Sequence, residues 1–330
     1  MKKILIIRFS SIGDIVLTSS VVRCIKKQLP EAELHYATKA AYKSLLESNP
    51  YIDKVHLLDK SLIALIADLK KEKYDLIIDL HNNLRTHYIS FCLNSKVNRV
   101  NKLNLKKWVF VNFKINTLPP LHIVDRYFNA ACASGIKNDF EGLDFFFNKD
   151  IDFEKLSLPV SHKKIFIAWV IGGKHETKIF PVDKIINICK HLDVPVILLG
   201  DGNDKVRGEV ISEAVPFAFN AAGLFNLEES AAIIKNAAVV ITNDTGLMHI
   251  AAAFHKKIIS LWGNTVTDFG MYPYLPQNKE NYKIIEVKNL KCRPCSKLGY
   301  KECPKKHFRC MRDISEAEIV DAVKSFTENG

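Results

Sequence analysis

Asn243, Asp244, Thr245, Gly246 and His249 place an amide, a carboxylate, a hydroxyl, bare backbone and an imidazole within seven positions, directly after the apolar run Ala238-Val239-Val240-Ile241. The chemistry of that set is anion binding. The run reads as a buried strand, and the small-residue stretch from Gly246 to Ala253 as a helix packed back on it. One of Asn243, Asp244 and Thr245 then caps the helix, and Gly246 leaves its first N–H groups sterically open, which suits a phosphate. His249 lies three and four residues after Gly246 and Thr245, so its side chain leans back over the first turn. A well-capped core helix with a packed His249 is the competing reading, because strand-turn-helix is the commonest unit of α/β proteins.

Two further sets carry chemistry. Phe9-Ser10-Ser11-Ile12-Gly13-Asp14 follows a strand-like segment and ends in a carboxylate that serves either as a base or as a helix cap. The turn is not G-x-G-x-x-G, which lowers the case for a dinucleotide enzyme. Near the other end, Cys292-x2-Cys295-x7-Cys303-x3-His307-x2-Cys310 gathers four of the eight cysteines in 19 residues. Structural Zn²⁺ on Cys292, Cys295, Cys303 and Cys310, a reduced structural loop, and redox chemistry all remain open there.

Positioning these groups falls to alternating elements. Lys3 to Arg8, Glu33 to Thr38, Lys54 to Leu58 and Asp75 to Leu80 read as strands, with helices over about Ile15 to Leu29, Ala40 to Glu47 and Ser61 to Lys71. That order predicts a parallel doubly wound sheet with ligands at the carboxyl ends of its strands, where Asp14 and His81 fall. A second alternation starts at Lys164 to Val170 and continues with strands at Val194 to Leu199, near Phe217, at Ala238 to Thr242, Lys257 to Trp262 and Tyr282 to Val287. Helices fall between them, and one more runs from Ser315 to about Phe326. The fold class is therefore α/β, with two Rossmann-like doubly wound parallel sheets in series and a cleft between them. Periodicity weakens from Asn138 to Lys163, so the domains are expected at 1–157 and 158–330, the second carrying the Cys-rich loop 292–310 and the terminal helix. Asp150 and Asp152 form a D-x-D pair, discounted because it lies in the expected linker and the spacing is common by chance.

Charge narrows the partners. Between Asn82 and Lys137 stand nine basic residues (Arg85, Lys96, Arg99, Lys102, Lys106, Lys107, Lys114, Arg126, Lys137) and one acid, Asp125, so that this window supplies +8 of the chain's +11. Trp108, Phe110 and Phe113 are interleaved, which suits an anionic, partly apolar partner such as a membrane surface or a phosphorylated glycolipid. A solvated basic face and nucleic acid are the rivals. Nucleic acid is disfavoured, because Cys292 lies about 155 residues beyond Lys137 and no recognised nucleic-acid motif surrounds either. No apolar run approaches the roughly 20 residues of a membrane span, and Met1-Lys2-Lys3 followed by Ile4-Leu5-Ile6-Ile7 is too short for a signal peptide, so the chain is expected to be cytoplasmic.

Three stretches together resemble the ADP-heptose:lipopolysaccharide heptosyltransferases of glycosyltransferase family 9: Ser10-Ser11-Ile12-Gly13-Asp14, Lys178-Ile179-Phe180-Pro181 and Asn243-Asp244-Thr245-Gly246-Leu247-Met248-His249. The resemblance spans nearly the whole chain and implies the GT-B architecture and an inverting, metal-independent transfer from a nucleoside-diphosphate sugar. By motif match it implies Asp14 as the base and Lys178, Thr245, Gly246 and His249 as donor diphosphate ligands. Asp244 then orients the donor sugar or the helix terminus, and Asp204 contacts the nucleoside, although some relatives carry Glu there. Ser10, Ser11, Gly13 and Arg85 are assigned to the acceptor, Arg85 because a guanidinium binds phosphate or carboxylate in bidentate fashion. The implied partners are an ADP-heptose-like nucleotide sugar, a lipopolysaccharide core or lipid A precursor, and the anionic cytoplasmic face of the inner membrane. Another GT-B sugar transferase or a sugar-nucleotide epimerase is the enzymatic alternative.

Overall fold

The computed structural model describes residues 2–147 and 151–328. The chain divides into two compact units, one made of Met1–Leu103 with Leu121–Asn148 and the other of Asn104–Pro120 with Lys149–Gly330. Part of the basic window, residues 104–120, thus groups with the second unit. Asp150 lies outside the described residues, while Asp152 caps a short 3-10 turn by accepting from the Glu154 amide at 3.1 Å.

In chain order the elements begin β1 (Lys3–Ile7), α1 (Ile12–Val16), α2 (Ser19–Gln28), β2 (Glu33–Lys39), β3 (Lys54–Leu58), α3 (Leu62–Glu72), β4 (Leu76–Asp79), α4 (Leu84–Leu93), β5 (Lys96–Arg99), α5 (Asn104–Phe113) and α6 (Ile123–Cys132). The five strands form one parallel sheet in the order β3-β2-β1-β4-β5. Ile4 to Ile7 are fully buried, as expected of a central parallel strand covered on both faces. The strand order reverses between β1 and β4, so the turns leaving those two strands flank the switch point where such sheets take ligands.

Three local readings need correction. The single helix expected over Ile15 to Leu29 is broken into α1 and α2, because the Thr18 hydroxyl donates to Ile15 O at 2.7 Å and meets Tyr36 Oη at 2.8 Å, competing with the helical ladder. Ala40–Leu45 is a 3-10 turn. The basic window, where no strand is read from the sequence, contains β5; as an edge strand with polar, half-exposed residues it shows no apolar run.

The second unit continues with β6 (Ile167–Val170), α7 (Val182–Cys189), β7 (Val196–Leu199), α8 (Lys205–Ala214), β8 (Ala218–Asn220), α9 (Leu227–Asn236), β9 (Val239–Asn243), α10 (Gly246–Ala253), β10 (Lys257–Trp262), β11 (Tyr282–Glu286), α11 (Arg309–Arg312) and α12 (Glu316–Glu328). Its six parallel strands run β11-β10-β9-β6-β7-β8, reversing between β6 and β9. Trp169, Phe180, Ile241, Ile259 and Met311 lie in one buried core. Within this unit α5 and the segment after it are fastened by Lys114 Nζ to Pro294 O, Lys297 Nζ to Asn104 Oδ1 and Asn116 Nδ2 to Asp268 Oδ1, each 2.6 Å, while Phe110 packs on Phe269.

The first unit closes on itself through a buried guanidinium. Arg23 on α2 pairs with Asp139 at 2.8 Å, with Asp144, and with Gly142 O at 2.9 Å. Removing one side of a buried ion network leaves charge unpaired, so Arg23→Ala is expected to cost about 3 kcal/mol of unfolding free energy. Urea unfolding of the full chain measures this, and a wild-type midpoint would show that the network holds nothing.

Candidate active site

In the first unit, α1 starts directly after the β1 turn with Ser11 as its N-cap and Asp14 three residues on. Asp14 Oδ2 accepts from the Ser11 amide at 3.0 Å and from Ser11 Oγ at 2.8 Å, and Asp14 Oδ1 pairs with Arg8 at 2.5 Å. Arg8 is buried and anchored by Ser10 O at 2.9 Å and Leu80 O at 2.5 Å, so one guanidinium ties the β1 turn to the end of β4. Burial alone would raise the Asp14 carboxyl; the adjoining Arg8 charge and the Ser11 hydrogen bonds outweigh it and hold Asp14 below the usual aspartate value. Asp14 thus closes a capping box and is an ionised carboxylate with a partly exposed edge.

His81, at the end of β4, packs edge-on against Phe9 with ring centroids 5.6 Å apart. Burial, with Arg8 and Lys102 nearby, lowers it to about 4, so it is neutral at pH 7. Gly13 is buried within α1, whereas Arg85 projects from the first turn of α4 into solvent.

In the second unit, β6 and β9 end side by side at the switch point. Asn243 Nδ2 donates to Gly172 O at 3.1 Å, joining the two turns. Asp244, Thr245, Gly246 and Leu247 are half-exposed, so the chain opens to solvent where α10 begins. Thr245 occupies the N-cap position but its side chain makes no cap hydrogen bond; its hydroxyl meets Thr242 Oγ1 at 3.3 Å instead. The first amides of α10 are therefore not closed off by that hydroxyl. His249 is buried in α10, four residues past the cap.

Lys178, at the end of a 3-10 turn, places its ammonium 2.5 Å from Asp244 Oδ2, and Thr265 Oγ1 donates to the same oxygen at 3.0 Å. The Lys178 and Asp244 side chains keep only 16% and 13% exposure. This sets Lys178 against Asp244, which precedes Thr245 and Gly246 in the chain. Asp204 does something different: its carboxylate is buried, accepts from the Asp201 amide at 3.1 Å and pairs with Arg207 at 2.6 Å. It lies so close under Gly172 and Gly200 that a Cβ at either would fall within 3 Å of it, so it supports the two strand-end turns from beneath.

The cysteine-rich segment braces the same site. Arg293 donates to Thr265 O at 2.8 Å and Val287 O at 2.7 Å and pairs with Glu286 at 2.7 Å. The Cys295 amide bonds to Asn264 O at 3.1 Å, and Tyr300 exchanges backbone and side-chain bonds with Thr177, next to Lys178. Cys292 Sγ lies 3.9 Å from His307 Nε2. Burial, reinforced by neighbouring sulfurs, pushes the thiols of Cys295 up to about 11 and Cys310 up to about 12. Among the described residues, the one group of three or more His, Cys or carboxylate ligand atoms within 4.8 Å of one another is His35, His56 and Glu72. Cys292, Cys295, Cys303 and Cys310 lie outside that group.

Sequence reasoning missed Arg8, Thr265 and Arg293. A charged residue closing an otherwise apolar strand was the available signal for Arg8; Thr265 and Arg293 reach the site through tertiary packing and left none.

The profile of glycosyltransferase family 9 (heptosyltransferase) matches residues 62–306. The chain is 28% identical to lipopolysaccharide heptosyltransferase 1 of Campylobacter coli over 98% of both chains. Its fold superposes on the glycosyl transferase family 9 protein of Veillonella parvula with a TM-score of 0.79 at 20% identity, covering 100% of this chain and 98% of that one. On the E. coli ADP-heptose lps heptosyltransferase II the TM-score is 0.75 at 21% identity, over 100% of both. With two doubly wound parallel sheets, an anion-ready helix start beside Lys178 and a family match across most of its length, this chain belongs to glycosyltransferase family 9, the heptosyltransferases.

Proposed function

We propose that the chain transfers heptose from ADP-heptose to a lipopolysaccharide core acceptor, with inversion at the anomeric carbon. The observation that carries the reading is the start of α10, with amides that Thr245 leaves uncapped and Lys178 held beside it. The first unit takes the acceptor side and the second the donor side. Asp14 accepts the proton of the acceptor hydroxyl as that oxygen bonds to the anomeric carbon. The bond from that carbon to the diphosphate breaks, and ADP leaves with the electron pair. The growing negative charge meets the α10 amides, Lys178 and the His249 imidazole, a donor set that needs no metal for the transfer. Asp244 aims Lys178 and faces the donor sugar. Ser10, Ser11, Gly13 and Arg85 contact the acceptor, while Asp204 supports the nucleotide turn indirectly.

The acceptor's lipid gives the apolar surface a use. No helix among the described residues is long and apolar enough to cross a membrane. Leu84, Tyr88 and Phe91 nevertheless form an exposed i, i+4, i+7 stripe on α4 beside Arg85, with Leu84 91% and Phe91 82% exposed. On α5, Leu105 at 74% exposure and Trp108 accompany Lys106. Apolar stripes flanked by cations suit the anionic cytoplasmic face of the inner membrane.

Asp14→Ala is expected to lower transfer by at least about a hundredfold while ADP-heptose binding persists. Lys178→Ala is expected to weaken nucleotide binding about tenfold. Transfer read by mass spectrometry and binding by calorimetry check both, and wild-type turnover of the Asp14 variant would remove it from the chemistry.

The ionised Asp14 is the active form, so kcat/KM falls only as the pH drops through its lowered pKa. Arg8→Met removes the adjoining positive charge and leaves the burial, so the acid limb of the profile moves to higher pH; an unmoved limb would show that Arg8 does not tune the base. On vesicles containing phosphatidylglycerol, Leu84→Glu with Phe91→Glu is expected to reduce co-sedimentation, and unchanged partition would take α4 out of the membrane contact.

A further inference from the structure

One polar cluster in the first unit plays no part in the site above. The β2–β3 register pairs His35 with Lys54 and Ala37 with His56, so the two imidazoles are diagonal neighbours on one sheet face. After α3, Lys73 turns through the left-handed region at φ 53°, setting Glu72 and Tyr74 beside them. His35 Nδ1, His56 Nε2 and Tyr74 Oη close a triangle with edges of 3.1, 3.0 and 2.8 Å. The ligand atoms of His35, His56 and Glu72 all lie within 4.8 Å of one another. His35 and His56 are buried, as is Tyr74.

Proton placement shows what the triangle lacks. His35 Nε2 meets Glu33 Oε1 at 2.7 Å, and Lys3, 3.1 Å from Glu33, keeps that carboxylate ionised. A carboxylate only accepts, so Nε2 carries the proton and Nδ1 turns its lone pair inward. Tyr74 and His56 then supply at most two protons for three contacts. A cation satisfies all three atoms at once: metal–nitrogen bonds of about 2.1 Å at the tetrahedral angle put their donor atoms about 3.4 Å apart, a few tenths of an ångström beyond the edges of this triangle.

We propose that His35, His56 and Glu72, with Tyr74 as a fourth donor, form a binding site for a divalent transition ion of the zinc class, separate from the sugar-transfer site. Two imidazoles, a carboxylate and a phenol suit Zn²⁺ or Co²⁺ and not Mg²⁺ or Ca²⁺. Glu33 is the outer carboxylate that fixes the tautomer and orientation of a ligating histidine. Glu72 pairs with Lys3 at 2.7 Å and Lys54 at 2.5 Å; Lys54 is largely exposed and free to swing aside as the ion takes its place. The ion ties β2, β3 and the α3–β4 turn together, bracing the sheet whose other strand ends carry Asp14.

The test uses tag-free, chelator-stripped full-length protein titrated with Zn²⁺ by calorimetry and with Co²⁺ by visible absorption. One saturable ion at this site is expected, raising the thermal midpoint by at least about 4 °C at a hundredfold excess over Kd. Glu33→Gln keeps every ligand and should weaken Zn²⁺ at least about tenfold, His56→Asn should abolish the site, and Cys292→Ser with Cys295→Ser should leave it intact. If His56→Asn fails to fold, Glu33→Gln, verified by circular dichroism, decides. No saturable ion in the wild type, unchanged affinity in Glu33→Gln, or binding lost only with the cysteines would overturn the proposal.

Discussion

The Lys178–Asp244 ion pair sets the character of the second unit's site. On the proposed reading Lys178 meets a departing diphosphate; an ammonium in that role must stay charged and aimed in surroundings that exclude most water, and burying it alone would cost several kcal/mol. Asp244 offsets that cost from 2.5 Å away, and Thr265 fixes the oxygen that does so. The carboxylate also opposes an incoming anion. Lys178 therefore cannot neutralise a diphosphate by itself, and the neutral amide donors at the start of α10 must share the work, which fits a helix N-terminus not closed by its own cap residue.

The first unit meets the converse demand with the same topology. At its switch point the chain keeps a carboxylate ionised, using a guanidinium anchored on two backbone carbonyls from the segments that follow β1 and β4. The pairing has a chemical consequence. A carboxylate held below its usual pKa is ionised across the working pH range but is a weak proton acceptor. On the proposed reading of Asp14 as the base, proton transfer accompanies sugar transfer late, when the acceptor oxygen has become acidic, and the driving force lies with stabilisation of the leaving diphosphate.

How much of this was legible in the sequence follows from which interactions are local. The parallel strands announced themselves as Val- and Ile-rich runs, and the polar turns after β1 and β9 stood out because polar residues end abruptly apolar segments. Lys178 and Asp244, 66 positions apart, meet only in the fold, and their motifs rather than any periodicity tied them together. β5 was hidden because an edge strand buries too little to need an apolar pattern. The membership of α5 in the second unit rests on contacts from Lys114, Asn116 and Lys297 to distant segments, which no local pattern encodes. Asp204 was legible as a conspicuous acid in a turn, but its burial beneath Gly172 and Gly200 was not.

The cysteine-rich segment shows how spacing can mark a place without stating what holds it there. Four clustered cysteines suggested a metal holding a loop in shape. What ties that loop to the site is Arg293, whose guanidinium spans Val287 O, Thr265 O and Glu286, with Tyr300 doubly bonded to Thr177. Those contacts fall on the residue that orients Asp244 and on the neighbour of Lys178. A guanidinium is planar, permanently charged and supplied with five donors, so it can fix several carbonyls at once where a thiol pushed up to about 11 stays protonated and bonds weakly. The loop therefore acts on the Lys178–Asp244 pair through the geometry of Thr265 and Thr177.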